Sequence, residues 1–196
     1  AVSLWLNLVE TGVPTPFTIP WFSAGELRVD WGFTFDWLTS VMALVVTGIG
    51  TAIHCYSIGY MSEDRTPSRY FAYLNLFLFA MLVLISGNNL PVLFVGWEGV
   101  GVCSYLLIGY WYQDPEKAKA GMKAFLVNRV GDFGFLLGIA AIYMTFSTLD
   151  YGAVFSIAPQ MAAKTIQVFP GVDWNLLTLT CILLFIGAMG KSAQVP

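Results

Sequence analysis

Long apolar runs separated by short polar segments dominate the chain. The runs at 36–61, 70–86, 90–112 and 118–146 each approach or exceed the length needed to cross a bilayer as a helix, about 20 apolar residues. A fifth run begins at Trp174. This pattern predicts an all-α polytopic membrane protein, built as a bundle of transmembrane helices.

The segments between these runs predict smaller elements. Residues 1–9 are expected to end a preceding transmembrane helix. Residues 10–35 are expected to form an extracytoplasmic segment, because ELRVDWGFTF alternates in polarity as a β-hairpin strand does. Residues 147–173 are expected to form an extracytoplasmic loop, in which APQMAAKTIQ makes a short amphipathic helix.

The last segment, 174–196, predicts the first part of a broken transmembrane helix. Its apolar run reaches Gly187 and Gly190 and then turns polar in KSAQVP, which ends in proline. Unwound backbone at membrane depth is tolerated only when it is buried in protein or lines water. The alternative is that Lys191 lies at a helix end and extends to the interface. Since no initiator Met is present and an apolar run is cut short, we expect a fragment of a longer protein.

Composition agrees with membrane embedding and excludes other classes. Hydrophobic residues make up 57% of the chain and charged residues 11%, with a mean hydropathy of +0.71. Soluble domains carry about 25% charged residues. The chain has no basic cluster, so nucleic acid is not an expected partner. Its three cysteines fall in apolar runs without metal-ligand spacing, which indicates small core residues: Cys55, Cys103 and Cys181.

Basic residues mark one side of the predicted bundle. The polar segments at 62–69 and 113–119 carry four of them: Arg65, Arg69, Lys117 and Lys119. The opposite side carries Arg28 and Lys164. The positive-inside rule therefore predicts that 62–69 and 113–119 are cytoplasmic, with 10–35 and 147–173 outside.

One carboxylate, Glu98, lies in the middle of an apolar run among three glycines, Gly96, Gly99 and Gly101. An ionised group at mid-membrane costs several kcal/mol unless it finds a partner or water. Glycine lets a neighbouring backbone or water approach closely. Glu98 is therefore predicted to face the bundle interior, either exchanging a proton or serving as a structural carboxylate.

Other ionisable residues within the runs each have two interpretations. His54, the single histidine, is either a packed core residue or a group in a proton path. Arg129 and Asp132 lie three positions apart, so they can pair, for architecture or for function. Lys123 is predicted to point inward toward Glu98, with extension to the interface as the alternative.

These groups supply charges of both signs near membrane depth. Desolvation lowers the pKa of a buried lysine, and a nearby carboxylate raises it again. A change in one group therefore changes the proton affinity of the other, which is the coupling that proton translocation requires. Moving one elementary charge across a membrane potential of about 100 mV requires about 2.3 kcal/mol. A change of about two units in the pKa of the lysine supplies about 2.7 kcal/mol, which is of the same size.

Three motifs together resemble one family. They are LFVGWEGVGVCSYLLIGYWY, KAFLVNRVGDFGFLLG and IGAMGKSAQVP. They are similar to the antiporter-like membrane subunits of proton-pumping NADH:quinone oxidoreductase, respiratory complex I. The similarity is closest to the distal, largest of these subunits in its bacterial form.

This resemblance implies an inverted-repeat antiporter fold, with two repeats of five helices that each contain a broken helix. The chain would hold the end of helix two, helices three to six and the start of broken helix seven. By motif match, Glu98 is the helix-five glutamate, Lys191 the helix-seven lysine, and Arg129 and Asp132 the polar pair of helix six. Glu98 and Lys191 would then act as a charge switch.

The resemblance also implies partners. The chain has no redox chemistry of its own; NADH, FMN, iron–sulfur clusters and quinone would belong to partner subunits, and other membrane-arm subunits and the bilayer would surround it. Two alternatives remain open. One is the large subunit of a multisubunit sodium/proton antiporter, and the other is a non-conducting structural scaffold.

Overall fold

The computed structural model describes residues 1–192 and Gln194. Its elements in chain order are seven α-helices, one 3₁₀ turn and four strands: α1 Val2–Thr11, β1 Thr15–Ala24, β2 Leu27–Phe35, α2 Trp37–Tyr60, α3 Pro67–Ser86, α4 Leu90–Ile108, α5 Pro115–Phe146, α6 Tyr151–Ile157, the 3₁₀ turn Ala158–Met161, β3 Thr165–Phe169, β4 Val172–Asn175 and α7 Leu176–Ser192. In this described part, four helices are long and apolar enough to cross a membrane: α2, α3, α4 and α5. The predicted helical membrane fold with a small hairpin is confirmed.

Capping residues set where several helices begin. The Asp36 carboxylate accepts a hydrogen bond from the Thr39 backbone N–H at 2.8 Å, and the Asn89 side chain accepts one from Val92 N–H at 2.9 Å. Each satisfies a donor that the first helical turn leaves without an intrahelical acceptor. Pro67 occupies the first turn of α3, where its missing N–H costs nothing.

The chain divides into two compact units, the first comprising Ala1–Pro20 and Asp30–Phe125. In this unit α2 and α3 run antiparallel. Thr39 donates to the Ile85 carbonyl at 3.2 Å near one end, while the Ser57 and Tyr70 hydroxyls lie 3.2 Å apart near the other. Polar contacts therefore connect α2 and α3 at both ends.

The helices α3 and α4 pack closely because small residues line their contact. A Cβ added at Gly96 would lie 2.6 Å from Leu84 Cα, and one added at Gly99 would lie 2.9 Å from the Ala80 Cβ. Removing the side chain is what allows two membrane helices to approach in this way. The backbone of α4 therefore lies directly against α3 at these two glycines.

The first hairpin is larger than the sequence pattern predicts. β2 contains the predicted alternation, but β1 runs through Pro16 and Pro20, which the pattern does not predict as a strand. Proline is tolerated there because β1 is exposed and pairs only with β2 in a two-stranded sheet. The base of the hairpin is joined to the α3–α4 turn, since Asn88 N–H donates to the Gly32 carbonyl at 3.1 Å.

The second unit contains Trp21–Val29 and the chain from Leu126 onward. Here the predicted amphipathic helix over APQMAAKTIQ is wrong. The helix is α6, which precedes that segment and begins at the cap Asp150, whose carboxylate accepts from Gly152 N–H at 2.9 Å. The segment itself forms the 3₁₀ turn and then β3, paired antiparallel with β4. β-branched residues favour that strand, and Gly171, at φ +82°, makes the turn.

Several helix boundaries differ from the predicted ranges. α4 ends at Ile108 rather than Tyr112, because the chain turns after Gly109. α5 begins at Pro115 rather than 118, and α7 begins at Leu176 because β4 occupies the residues before it. The predicted helix break covers residues 190–196. α7 continues through Ser192, and Ala193, Val195 and Pro196 lie outside the described residues.

Candidate functional site

Glu98 lies in the middle of α4, on the side turned away from α3. Gly96 and Gly99 pack on α3, and the fully buried Val92 and Cys103 recur on the same face of α4 at a spacing of three or four residues. Helical geometry places Glu98 on another face, together with Tyr105 seven positions later. The Tyr105 ring lies 5.5 Å from the Phe125 ring of α5, centroid to centroid. Half-buried Glu98 therefore lies on the same side of α4 as Tyr105, the residue whose ring contacts α5.

Asp132 and Lys191 flank a crossing of two helices in the second unit. A Cβ added at Gly131 of α5 would lie 3.2 Å from Gly190 Cα of α7, and one added at Gly190 would lie 3.2 Å from Gly131 Cα. The two backbones therefore meet at these glycines. Asp132 and Lys191 are the residues that immediately follow them, so this crossing brings an acidic and a basic residue to one region of the unit.

Asp132 and Lys191 are less exposed to solvent than the residues of a surface ion pair. Asp132 is 2% exposed, and Lys191 is half-buried in the last turn of α7. Both interact with other groups of the protein. Glu98 belongs to the first unit and Lys191 to the second, so the predicted Glu98–Lys191 pairing stays a prediction.

Two of the predicted residues are exposed on α5. Lys123 is exposed among the described residues, and its predicted orientation toward Glu98 stays a prediction. Arg129 is exposed as well, whereas its predicted partner Asp132, three positions later, is buried.

His54 is held against its own helix. Its Nδ1 lies 2.8 Å from the Gly50 carbonyl oxygen, and its ring stacks at a tilt on Phe71 with centroids 6.0 Å apart. Because a carbonyl only accepts, Nδ1 must donate, and the neutral ring then presents Nε2 as an acceptor. Nε2 is buried without a hydrogen-bond partner among the described residues. This contact fits the packed interpretation of His54.

A polar cluster that the sequence interpretation did not single out closes one end of the first unit. Asp64 accepts hydrogen bonds from Thr66 N–H at 2.8 Å, Trp111 Nε1–H at 2.9 Å and the Tyr110 hydroxyl at 2.9 Å. The Thr66 and Trp111 bonds, followed by that of Tyr110, hold the pKa of the Asp64 carboxyl below its usual range. The sequence signal available was weak: an acid and two aromatic residues in separate loops.

The crossing of α5 and α7 had a clearer signal. Gly131, Gly134 and Gly138 lie on one side of α5, at the three- and four-residue spacing that marks close helix contacts in membranes. A Cβ added at Gly134 would lie 2.6 Å from the Ile186 side chain. This spacing indicates a close helix contact on that face of α5, and the structure identifies α7 as the partner.

Two family models match the chain. Residues 87–196 match the family described as NADH:quinone oxidoreductase/Mrp antiporter, TM, over more than half of the chain. The chain belongs to this family. Residues 21–71 also match the model for the N-terminus of NADH-ubiquinone oxidoreductase (complex I) chain 5. The family resemblance indicated by the three motifs is therefore confirmed, and the first match contains Glu98, Asp132 and Lys191.

Individual relatives are similar at about half of their aligned positions. NADH-quinone oxidoreductase subunit L of Neisseria meningitidis is 51% identical over 178 residues, which cover 90% of this chain and 26% of that protein. NADH-ubiquinone oxidoreductase chain 5 of Triticum aestivum is 50% identical over 176 residues, with the same coverage. The chain thus spans about a quarter of the length of the relatives it matches.

Solved structures share the fold. The Mrp complex from Dietzia sp. matches with a TM-score of 0.76 and 23% identity, over 97% of this chain and 20% of that one. An archaeal membrane-bound sulfane sulfur reductase matches with a TM-score of 0.69 and 18% identity, over 97% of this chain and 28% of that one. At these identities the likeness concerns the architecture, which is antiporter-like.

Proposed function

We propose that this chain forms part of a proton-translocating membrane subunit of NADH:quinone oxidoreductase. The observation that carries the proposal is the set of ionisable residues in apolar helices, Glu98, Asp132 and Lys191, within the residues that match the antiporter-like family. The identity of about half with subunit L and chain 5 relatives favours complex I over other members.

The proposed mechanism is a change of proton affinity in coupled groups. Lys191 holds a proton more tightly when a carboxylate lies near it and less tightly when that carboxylate is neutralised or moves away. Glu98 is proposed as the switching partner. Buried Asp132, beside the same helix crossing as Lys191, supplies a second negative charge that biases the lysine.

The electron-transfer chemistry is proposed to lie in partner subunits, which would hold FMN and iron–sulfur clusters and react with NADH and quinone. Other membrane-arm subunits are proposed to surround the chain. Its proposed location is the bacterial inner membrane, with 62–69 and 113–119 facing the cytoplasm. The basic residues of those two segments support this orientation.

The test is made in the full-length subunit, assembled in its complex and reconstituted in vesicles. Glu98→Gln and Lys191→Ala are each expected to lower proton uptake per NADH oxidised sharply, because each removes one charge of the coupled pair. Proton uptake is followed with a pH-sensitive dye, and NADH oxidation by absorbance. Lys164→Ala, which removes an exposed charge from a loop, is the matched control and should leave the ratio unchanged.

The same experiment separates the alternatives. Normal pumping stoichiometry in both variants would defeat the proposal. A scaffold predicts that Glu98→Gln changes the amount of assembled complex and leaves transport per complex unchanged. A sodium/proton antiporter subunit, favoured only by the fold shared with the Mrp complex, predicts sodium-dependent exchange without NADH-reactive partners.

A further inference from the structure

Two adjoining cavities lie at the end of the first unit that holds the Asp64 cluster. The end cavity, of about 400 Å³, lies between the α2–α3 and α4–α5 connections and is lined by charged residues that include Glu63, Arg65 and Arg69. The side cavity, of about 240 Å³, is lined by residues of α3, α4 and α5 that include Leu106 and Met122. Both cavities share three wall residues, Arg69, Tyr110 and Tyr112. The end cavity is thus more polar than the side cavity beside it.

Arg69 lies where the two cavities meet, and not all of its N–H groups have an acceptor among the described residues. Its Nη2 donates to the Tyr110 carbonyl at 3.3 Å, and its guanidinium lies 4.8 Å from the Tyr110 ring centroid and 5.1 Å from that of Tyr112. A guanidinium carries five N–H donors. Its Nε is buried and has no acceptor in the part of the chain that the structure describes. Arg69 therefore places a cation on the wall that both cavities share, where an oxyanion in the end cavity can approach it.

The charges that line the end cavity balance. Arg65 and Arg69 supply two positive charges, and Glu63 and Asp64 two negative ones. The Asp64 oxygens are already engaged by Thr66, Tyr110 and Trp111, whereas Glu63 is exposed. A ligand with one phosphate and one ammonium group complements this arrangement better than a simple anion does.

The depth of the site indicates where such a ligand comes from. Arg69 lies in the first turn of α3, so it lies where a membrane-crossing helix emerges. Tyrosine and tryptophan around it are typical of the headgroup level of a bilayer. An amphiphile in the surrounding lipid has a polar head for the end cavity and an apolar tail for the side cavity.

We infer that the two cavities bind one zwitterionic aminophospholipid. The phosphate accepts hydrogen bonds from Arg69, the ammonium faces Glu63, and the glycerol and first acyl carbons lie against Leu106 and Met122. This site is independent of the ionisable residues proposed for proton translocation.

The test uses the full-length protein, stripped of lipid in detergent and titrated with micelles that contain dioleoylphosphatidylethanolamine. Native mass spectrometry counts the bound lipid. Arg69→Gln is expected to weaken binding about tenfold, because it removes a charge-assisted hydrogen bond. Leu106→Trp is expected to weaken it by filling the side cavity, without any change of charge. Lys119→Gln removes a positive charge close by that lines neither cavity, and it should bind as the unchanged protein does.

Competing ligands test which chemical groups of the lipid the site recognises. Dioleoylphosphatidylglycerol, which lacks the ammonium, is expected to bind more weakly, and inorganic phosphate is expected not to displace the lipid. Equal binding of the anionic lipid, or displacement by phosphate alone, would overturn the inference. So would tight binding to Leu106→Trp, a variant that keeps Arg69 and therefore decides the question even if Arg69→Gln does not fold.

Discussion

Residues of the same type have different structural roles at different positions in this chain, and glycine shows this most clearly. Gly96 and Gly48 both lie inside membrane-crossing helices. A Cβ at Gly96 would meet the Leu84 backbone, whereas a Cβ at Gly48 would meet nothing within 4 Å among the described residues. Packing of the described helices therefore requires the first glycine and places no such demand on the second.

We predict that Gly96→Ala destabilises the full-length protein in detergent by about 1–3 kcal/mol, because the added methyl group forces α3 and α4 apart. Gly48→Ala is the matched control, with the same chemical change in a helix that has room for it. It should be neutral or stabilising by up to about 1 kcal/mol, since alanine favours helix more than glycine does. The measurement is thermal unfolding, and equal shifts in the two variants would contradict the packing argument.

Lys123 illustrates how far a single residue can be interpreted from its neighbours in sequence. Apolar residues on both sides place it within a helix, and that much agrees with α5. They do not determine which way it points, because a helix carries its residues around every face. In the described part of the chain its side chain is exposed, which no local pattern records.

At the scale of elements, one residue connects two of them. Asn89 is 5% exposed. Its side-chain oxygen caps α4 at Val92, and its Nδ2 donates to the Asp30 carbonyl of β2 at 2.8 Å. The start of a transmembrane helix and the attachment of the surface hairpin therefore depend on the same amide.

We predict that Asn89→Ala lowers the free energy of unfolding by about 2 kcal/mol, the sum of a lost cap and a lost buried hydrogen bond. Asn89→Ser keeps a capping oxygen but cannot reach Asp30, so it should lose about half as much. Asn75→Ala is the control, because exposed Asn75 donates only to Phe71 in its own helix. An Asn89→Ser variant as unstable as Asn89→Ala would mean that the cap contributes nothing.

The long helices were predictable and the second hairpin was not. Long apolar runs have few alternatives to a helix in a membrane, since every backbone group must find a partner inside its own segment. Residues 158–167 are short and mixed in polarity, so helix and strand compete there. The pairing of β3 with β4 across the turn at Gly171 decides between them.

At the scale of the whole molecule, the first unit has two distinct ends. The Asp64 cluster joins the α2–α3 connection to Trp111. The hairpin base joins the α3–α4 turn, through an isolated bridge between Phe33 and Gly87. Since each crossing helix reverses direction, these two structures lie at opposite ends of the helices.

We predict that Thr18→Cys in β1 and Lys119→Cys in α5 are labelled from opposite sides of the membrane. The experiment uses sealed vesicles of the full-length protein and a membrane-impermeant maleimide, with Cys55 and Cys181 replaced because both are exposed. By the positive-inside rule Lys119→Cys should react from the cytoplasmic side. Labelling of both positions from one side would contradict the arrangement of the helices.

The sequence by itself determined that this is a multi-pass helical membrane protein of the antiporter-like family, and it marked the carboxylates and lysines in its apolar runs. These features are local, because run length, hydropathy and motif spacing are properties of consecutive residues. Only the tertiary structure decided that Asp132 and Lys191 flank one crossing, that Lys123 is exposed among the described residues, and that Arg69 borders two cavities. Those facts depend on which helix faces touch, and that is settled by glycine contacts and hydrogen bonds between residues far apart in the chain.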